Sequence, residues 1–231
     1  MPGRLIAIGD IHGCSEALAA LLKAIQPTAG DRIITLGDYV DRGPDSRGVI
    51  DQLLELQRRC WLIPLMGNHD MMLLGLAEGH QYVFNSWIGQ GGGPTLQSFR
   101  CAHPREVPER YLSFLRGCRS MYETPGTLFV HANYMPNRPI EEQPKFVQRW
   151  ESLRSRCPPA HYSGKTVIVG HTSQRSGEIL DLGYLKCIDT YCYGGRWLTA
   201  LDAETGEVWQ TNQFGQLRTA VEQVDDAATS A

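Results

Sequence analysis

Five short segments carry the side chains that could do chemistry together. They supply carboxylates, imidazoles, a carboxamide and a guanidinium, and they are 9–13 (GDIHG), 37–43 (GDYVDRG), 67–70 (GNHD), 130–131 (VH) and 170–171 (GH). Carboxylate and imidazole donors in combination suit divalent transition metals that accept nitrogen and oxygen ligands. Two such ions about 3.5–4 Å apart can hold a bridging hydroxide and clamp a phosphoryl group for in-line attack. The segments therefore predict a two-metal site that suits phosphoryl chemistry.

Each of these segments directly follows or ends an apolar run that predicts a buried strand. The five runs are 5–8, 33–36, 61–65, 127–130 and 166–169. An open α/β sheet places its chemistry at the ends of several strands, so we expect the polar segments to meet at one edge.

Helix signals separate the first strands. Ser15 is placed to cap a helix with apolar residues at helical spacing, and Pro27 ends it. A second helix is expected to start at residues 44–45, where Pro44 and Asp45 follow the second polar segment. Repeated strand–helix–strand units predict a largely parallel sheet with right-handed crossovers.

The rest of the chain changes character twice. Residues 79–125 are aromatic and glycine-rich and predict a cap-like insertion with a helix near 106–115. Strand-like runs at 185–189, 197–202 and 207–211 predict a second sheet, mixed or antiparallel. Residues 1–231 are interpreted as one domain, with a frayed end at 222–231.

Composition limits the classes of partner. The 231 residues are 42% hydrophobic and 20% charged with a net charge of -3, which gives no basic face for nucleic acid. No charged leader and no long apolar stretch is present, so we expect a cytoplasmic protein without a membrane partner.

The cysteines point to reduced thiols. The seven are scattered without a CxxC pair, at positions 14, 60, 101, 118, 157, 187 and 192. Most are expected to be buried apolar filler. Cys14 is the exception, because it lies next to Asp10 and His12 and could become a thiolate near a metal.

Several of the polar residues have simpler possible roles. His80, His103 and His161 are interpreted as hydrogen-bonded surface or core residues. The other four histidines follow predicted strands beside Asp, Asn or Gly, a pattern that solvated histidines have no reason to share. Asp10 and Asp38 could cap helices, but Ser15 and Asp45 occupy those positions instead.

With these motifs assembled, the chain resembles the phosphoprotein-phosphatase branch of the calcineurin-like metallophosphoesterases. GDIHG, GDYVDRG and GNHD are similar to that family's signature, and the single histidines at 131 and 171 follow in the family's order. The glycines at 91–93 and the IDT sequence at 188–190 are also similar to compact bacterial and phage members, including diadenosine tetraphosphatases. The likeness covers about residues 4–210. It implies an αββα sandwich of the α/β (α+β) class, with two mixed β-sheets between helical layers and metals at the strand ends.

The resemblance also implies roles for individual residues. It puts the first metal ion on Asp10, His12 and Asp38. The second ion then lies on Asp38, Asn68, His131 and His171, with Asn68 close enough to contact substrate phosphate as well. His69 stays free of metal and protonates the leaving alkoxide, and Asp41 orients it. Arg42 holds phosphate oxygens with its planar fork.

A second phosphate-binding arginine is expected in this family between the two single-histidine segments. Arg149 is our choice, with Arg154 as the alternative. Two departures separate the chain from the eukaryotic protein phosphatases: Met66 replaces an arginine, and residues 189–193 replace an aromatic, asparagine-containing loop. A third departure, Asp70 where the family commonly has Glu, removes no ligand.

The leading expectation is a phosphatase that hydrolyses phosphomonoesters, similar to bacterial serine/threonine protein phosphatases. Two divalent ions, with Mn²⁺ favoured over Fe²⁺ or Zn²⁺, would support attack by a bridging hydroxide on a phosphorylated substrate without a phosphoenzyme. One alternative is a dinucleoside polyphosphate hydrolase of the diadenosine tetraphosphate type. Another is an inactive metal- or phosphate-binding module. Whether aromatic residues line a substrate groove or pack the core is left open for Trp87, Tyr134, Trp150, Tyr191 and Tyr193.

Overall fold

The computed structural model describes residues 3–80 and 84–219. Within them, the five strands of one sheet are β1 (Leu5–Ile8), β2 (Arg32–Thr35), β3 (Trp61–Pro64), β9 (Trp197–Asp202) and β10 (Val208–Asn212). Their order across the sheet is β10-β9-β1-β2-β3. The first three are parallel, and β9 runs antiparallel to both β1 and β10.

The five strands of the second sheet are β4 (Met121–Glu123), β5 (Thr127–Val130), β6 (Thr166–Val169), β7 (Leu180–Asp181) and β8 (Leu185–Cys187). Their order across the sheet is β4-β5-β6-β8-β7. The middle three are parallel, and an antiparallel strand closes each edge. Both sheets are therefore mixed.

An apolar layer joins the two sheets. Ala7 and Ile34 of the first sheet share one buried cluster with Phe129 and Ile168 of the second. Separate buried clusters cover the outer face of each sheet. Because parallel strands are buried on both faces, they consist of nearly continuous apolar runs. The αββα sandwich is thus confirmed.

The described residues include seven α-helices, most of which pack against the outer face of the first sheet. They are α1 (Ser15–Ile25), α2 (Ser46–Leu56), α3 (Asn68–Ala77), α4 (Phe84–Trp87), α5 (Gly93–Phe99), α6 (Glu109–Arg116) and α7 (Lys145–Trp150). A π-helical turn, Ile88–Gly92, joins α4 to α5. No helix in the two described ranges has the length and apolar character needed to cross a membrane.

The predicted strands and helix caps hold with small shifts of some strand ends and two exceptions. The strands at 5–8, 127–130, 166–169 and 197–202 are confirmed without change. Asp45 caps α2 by accepting a hydrogen bond from the Gly48 N–H at 2.9 Å, as predicted. The Ser15 cap is wrong, because Ser15 is already helical and the preceding residue, Cys14, makes no side-chain cap bond.

The second exception concerns the strands near the C-terminal end of the described chain. β9 and β10 belong to the first sheet rather than the second, where only β8 of the three predicted runs lies. The alternating pattern identifies a strand but not its neighbour. β1 lies in the middle of its sheet and needs a partner on each side, and β9 supplies the second one.

The predicted cap-like insertion, residues 79–125, is corrected in part. Trp87, Phe99 and Tyr111 lie in the same buried cluster as the apolar faces of α1 and α2, so most of the described segment completes the helical layer. Its last residues form β4, an edge strand of the second sheet. The predicted frayed end at 222–231 lies outside the described residues.

Candidate active site

The ends of five strands bring the predicted polar residues together. Asn68 Oδ1 lies 3.1 Å from His131 Nε2 and 3.0 Å from His171 Nδ1. Asp38 Oδ2 lies 3.4 Å from His12 Nε2, and its Oδ1 lies 3.6 Å from His131 Nε2. These residues follow β1, β2, β3, β5 and β6, so the site spans both sheets.

The loops that carry these residues have unusual backbone geometry. Five non-glycine residues have φ between +46° and +72°, and they are His12, Asp38, Asp41, Arg42 and His171. This left-handed conformation costs about 1–2 kcal/mol per residue. Such strain persists only where the surroundings fix the chain, and it concentrates at functional sites.

Backbone carbonyls orient three of the imidazoles. Nδ1 of His12 donates to Val40 O at 3.0 Å, and Nδ1 of His131 donates to Leu36 O at 2.8 Å. Nε2 of each ring therefore faces Asp38. His171 has the opposite orientation, because its Nε2 donates to Trp150 O at 3.2 Å and its Nδ1 faces Asn68. Hydrogen bonds of this kind hold metal-binding histidines in the required tautomer.

Burial keeps these imidazoles neutral. It lowers the pKa of His12 and His131, and it lowers the pKa of His171 to about 4. A neutral imidazole has a nitrogen lone pair available for a metal ion, whereas an imidazolium has none. The three rings are therefore in the form that binds metals.

Asp10 shows most clearly that these residues fit a cation. Its Oδ2 accepts a hydrogen bond from the His171 N–H at 2.9 Å, but its Oδ1 is buried and has no hydrogen-bond donor among the described residues. Burial raises the pKa of Asp10, and repulsion by Asp189 and Asp38 raises it further. A buried oxygen with this charge is costly unless a cation or a donor meets it.

Two groups of side chains could each hold a metal ion. One contains His12, Asp38 and His69, and the other contains Asp38, His131 and His171. The ligand atoms of each group lie within 4.8 Å of one another, and Asp38 is common to both. A shared carboxylate suits two neighbouring ions, so the residues present fit a pair of divalent cations. The first group differs from the set that the resemblance implies, since it contains His69 and not Asp10.

Asp70 fastens the loops that carry these ligands. Its carboxylate accepts hydrogen bonds from the N–H groups of Asp38, Tyr39 and Gly67 at 2.7–3.0 Å. Burial and the charge of Asp38 raise the pKa of Asp70 to about 8. A Cβ on Gly67 would lie 2.1 Å from Asp38 Oδ1, so only glycine permits this approach. Asp70 is shorter than the Glu that the family commonly has at this position, but its carboxylate still reaches all three backbone N–H groups.

His69 and Asp41 form a buried pair beside the ligand cluster. His69 Nδ1 lies 2.7 Å from Asp41 Oδ2, and the two side chains are 1% and 0% exposed. The His69 ring meets His12 edge to face, with 4.9 Å between ring centroids. Burial lowers the pKa of His69, but the Asp38 charge and the Asp41 hydrogen bond outweigh it, so the net shift is upward. A protonated His69 next to the site could donate a proton.

The two arginines predicted to hold phosphate have different surroundings. Arg42 is half-buried, its Nη1 donates to His12 Nε2 at 2.8 Å, and its guanidinium lies 4.5 Å above the Tyr193 ring. Arg149 donates to Ser120 Oγ at 2.7 Å and has no carboxylate partner among the described residues. Burial lowers the pKa of Arg149, and its charge lowers the pKa of His131. Arg154 is exposed and donates to Ser173 O.

His103 and His161, which have simpler predicted roles, form hydrogen bonds outside this cluster. His161 forms hydrogen bonds with Ser163 Oγ and Arg138 O, and His103 Nδ1 accepts a hydrogen bond from the Arg105 N–H.

Cysteines 14, 60, 187 and 192 are buried and form no disulfides. The Cys14 thiol donates to the backbone carbonyl of His12 at 3.5 Å.

Three residues near the site were not among the predicted site residues. Trp87 and Thr95 donate hydrogen bonds to Asp41, and the buried carboxylate of Asp189 accepts one from Ser173 Oγ at 2.7 Å. Of the aromatic residues left open, Trp87 and Tyr134 are buried. Tyr193 contacts both His12 and Arg42. The glycine stretch at 91–93 is the signal that could have indicated a close approach of this region to another part of the backbone.

Comparison with known proteins identifies the family. The sequence profile of calcineurin-like phosphoesterases matches residues 3–194. The chain belongs to the calcineurin-like phosphoesterase family. This calcineurin-like phosphoesterase is 34% identical over 148 residues to the symmetrical bis(5'-nucleosyl)-tetraphosphatase of Nitrosomonas europaea. The aligned region covers 64% of this chain and 51% of the relative. The chain thus spans about half the length of the curated relatives it matches.

Two further similarities bear on the branch and the fold. The chain is 36% identical over 86 residues to serine/threonine-protein phosphatase 1 of Salmonella typhimurium, with 37% of each chain covered. A solved structure described as a putative diadenosine tetraphosphatase superposes with a TM-score of 0.69 at 23% identity, covering 91% of this chain and 94% of the other. The predicted resemblance to the phosphoprotein-phosphatase branch is confirmed.

Proposed function

We propose that this calcineurin-like phosphoesterase transfers a phosphoryl group directly to water and that its substrates are dinucleoside polyphosphates. The observation that carries the type of reaction is Asp38, shared by two ligand groups, beside the buried His69–Asp41 pair. The similarity to symmetrical tetraphosphatases supports the substrate class and favours the alternative from the sequence over a phosphomonoester.

Two divalent cations fit the residues at the strand ends. Asp10, His12 and Asp38 would hold one, and Asp38, Asn68, His131 and His171 would hold the other. When bound, such cations neutralise phosphoryl oxygens and acidify a water molecule, so that it can attack phosphorus at neutral pH.

The protein's own side chains then complete the reaction. Arg42 and Arg149 donate hydrogen bonds to the non-bridging oxygens of the phosphoryl group. A water oxygen forms the new bond to phosphorus and loses a proton to solvent while the bond to the leaving oxygen breaks. His69 gives its Nε2 proton to that leaving oxygen, and Asp41 keeps the Nδ1 side of the ring protonated. No side chain becomes phosphorylated, and trapping of a phosphorylated residue would contradict this scheme.

The role of Arg149 can be tested against Arg154. Charge-assisted hydrogen bonds contribute about 1.5–3 kcal/mol. Arg149→Lys removes the fork but keeps the charge, so we expect kcat/KM to fall about 10- to 100-fold. Arg154→Lys, the matched change at an exposed arginine, should leave kcat/KM close to that of the wild type. Equal effects of the two substitutions on kcat/KM would contradict the assignment of Arg149 to the phosphate site.

A second candidate is hydrolysis of phosphomonoesters, the leading expectation from the sequence. The His69–Asp41 pair favours it, because an alkoxide leaving group needs a proton more than a nucleoside diphosphate does. The similarity to the Salmonella serine/threonine-protein phosphatase supports it as well, although it covers 86 residues.

Substrate comparison separates these candidates. Mn²⁺-loaded protein should hydrolyse diadenosine tetraphosphate with a kcat/KM at least about tenfold above that for a phosphoserine peptide, about 1.4 kcal/mol of preference. Symmetrical cleavage should give two ADP molecules, which chromatography distinguishes from AMP plus ATP. A higher kcat/KM for the phosphopeptide would support the second candidate. Failure to hydrolyse any phosphate ester or anhydride would instead revive a non-catalytic binding module.

A further inference from the structure

Asp41 receives two side-chain hydrogen bonds from the segment that the sequence marked as a cap. Trp87 Nε1 donates to Asp41 Oδ2 at 2.7 Å, and Thr95 Oγ1 donates to Asp41 Oδ1 at 2.7 Å. Asp41 Oδ2 also accepts the bond from His69 Nδ1 at 2.7 Å. All four side chains are buried. The carboxylate is therefore held by three donors, two of which lie more than forty residues along the chain.

We propose that Trp87 and Thr95 are positioning residues that fix Asp41, and through it the proton-donating orientation of His69. The inference rests on the proposed role of His69 as the proton donor.

The Thr95 hydroxyl uses its full hydrogen-bonding capacity on this loop. A hydroxyl has one donor and two acceptor positions. Thr95 donates to the Asp41 carboxylate, accepts the Asp41 N–H at 2.9 Å, and accepts the Ser46 hydroxyl at 3.0 Å. It thus holds both the side chain and the backbone of Asp41, whose φ is +72°. That left-handed backbone needs an external restraint to persist.

The glycine-rich turn explains how the segment reaches Asp41. Gly91 has φ +107°, and its carbonyl accepts the Arg42 N–H at 2.9 Å. A Cβ on Gly91 would lie 2.8 Å from Arg42 Cγ, and a Cβ on Gly92 would lie 2.4 Å from the Trp87 ring. Side chains at these two positions would push the segment away. The turn therefore contacts Arg42 and also places Trp87 within hydrogen-bonding distance of Asp41.

The two donors affect His69 through geometry. With both oxygens of Asp41 fixed, the carboxylate presents Oδ2 to His69 Nδ1 in a single direction. The imidazole keeps its proton at Nδ1, so the transferable proton is the one on Nε2. As the phosphorus–oxygen bond breaks, that proton moves to the leaving oxygen, and His69 regains a proton from water. If the hydrogen bond from Trp87 or Thr95 is lost, His69 is still present, but its Nε2 proton is less precisely oriented toward the leaving oxygen.

Trp87→Phe and Thr95→Val test this role through the dependence on the leaving group. Phenyl phosphate has a more basic leaving group than p-nitrophenyl phosphate, so it needs the acid more. We expect each substitution to lower kcat for phenyl phosphate about 10- to 100-fold, part of the 10²- to 10⁴-fold that general acid catalysis contributes. The kcat for p-nitrophenyl phosphate should change less than about threefold, and KM should stay constant for both substrates. Thr95→Ser, which retains the hydroxyl, should restore phenyl phosphate turnover.

Matched variants control for loss of packing. Trp197→Phe makes the same change at an indole whose Nε1 has no acceptor among the described residues. Thr211→Val removes an equally buried hydroxyl that donates to Ala17 O at 2.9 Å. Neither should alter the ratio of the two rates. If Thr95→Val does not fold, Trp87→Phe decides, because it keeps an aromatic ring in place.

The outcomes separate this inference from the proposed function. Equal losses on both substrates for Trp87→Phe and Thr95→Val would make these residues merely structural and overturn the inference. His69→Asn should itself reduce phenyl phosphate turnover selectively. If it does not, the acid role of His69 fails, and the inference that rests on it fails for that separate reason.

Discussion

Replacement of His69 by Asn should lower kcat for phenyl phosphate by about 10²- to 10⁴-fold. Asn fills part of the imidazole space but has no proton to give at the position of Nε2. The much better leaving group of p-nitrophenyl phosphate should make its turnover far less sensitive. Steady-state kinetics on the two substrates measure this difference. His161→Asn, at a buried and hydrogen-bonded histidine outside the ligand cluster, is the matched control and should affect neither rate.

The metal content of the same variant tests the assignment of His69. Its side chain lies in one of the two candidate ligand groups, together with His12 and Asp38. If His69 donates a proton and binds no metal, His69→Asn should retain the wild-type metal content by mass spectrometry. Loss of one ion per chain, together with equal losses on both substrates, would make His69 a ligand instead.

Replacement of Asp38 by Asn should have the larger effect on metal binding. Asp38 is the residue shared by both candidate ligand groups, and the substitution keeps its shape while removing its charge. Metal cations stabilise the transition state by several kcal/mol, so we expect kcat/KM to fall by roughly 10³-fold or more. Metal content should fall in parallel. Asp45→Asn, in the same loop, retains a helix-capping oxygen and should keep both metal and activity. An Asp38→Asn protein that retains wild-type metal content would contradict the shared-ligand assignment.

Local sequence patterns predicted the strands that position the site. The runs at 5–8, 127–130 and 166–169 are buried on both faces, so they are continuously apolar and easy to recognise. The pairing of β9 with β1 could not be predicted, because alternation of apolar residues along a strand contains no information on its neighbour. The packing of the segment after residue 79 is difficult to predict for a similar reason. Its aromatic residues complete a helical layer whose other half lies far away in the sequence.

The candidate ligands were predictable because their residue types, spacing and place after strands all agree. The residues that hold the neighbouring side chains in position were not predictable. Trp87 and Thr95 reach Asp41 across 46 and 54 residues, and nothing in their local sequence indicates this contact. Asp189 likewise joins the charged cluster only through the tertiary fold. The left-handed backbone of His12, Asp38 and His171 is also invisible in the sequence, because these residue types adopt it only when their surroundings impose it.

Metal titration of activity tests the two-metal phosphohydrolase most directly. Protein stripped with a chelator should hydrolyse p-nitrophenyl phosphate at less than about a thousandth of the loaded rate, since the cations contribute several kcal/mol. Added Mn²⁺ should restore turnover, which should stop rising when two ions are bound per chain. Full activity in the chelated, metal-free protein would contradict the account.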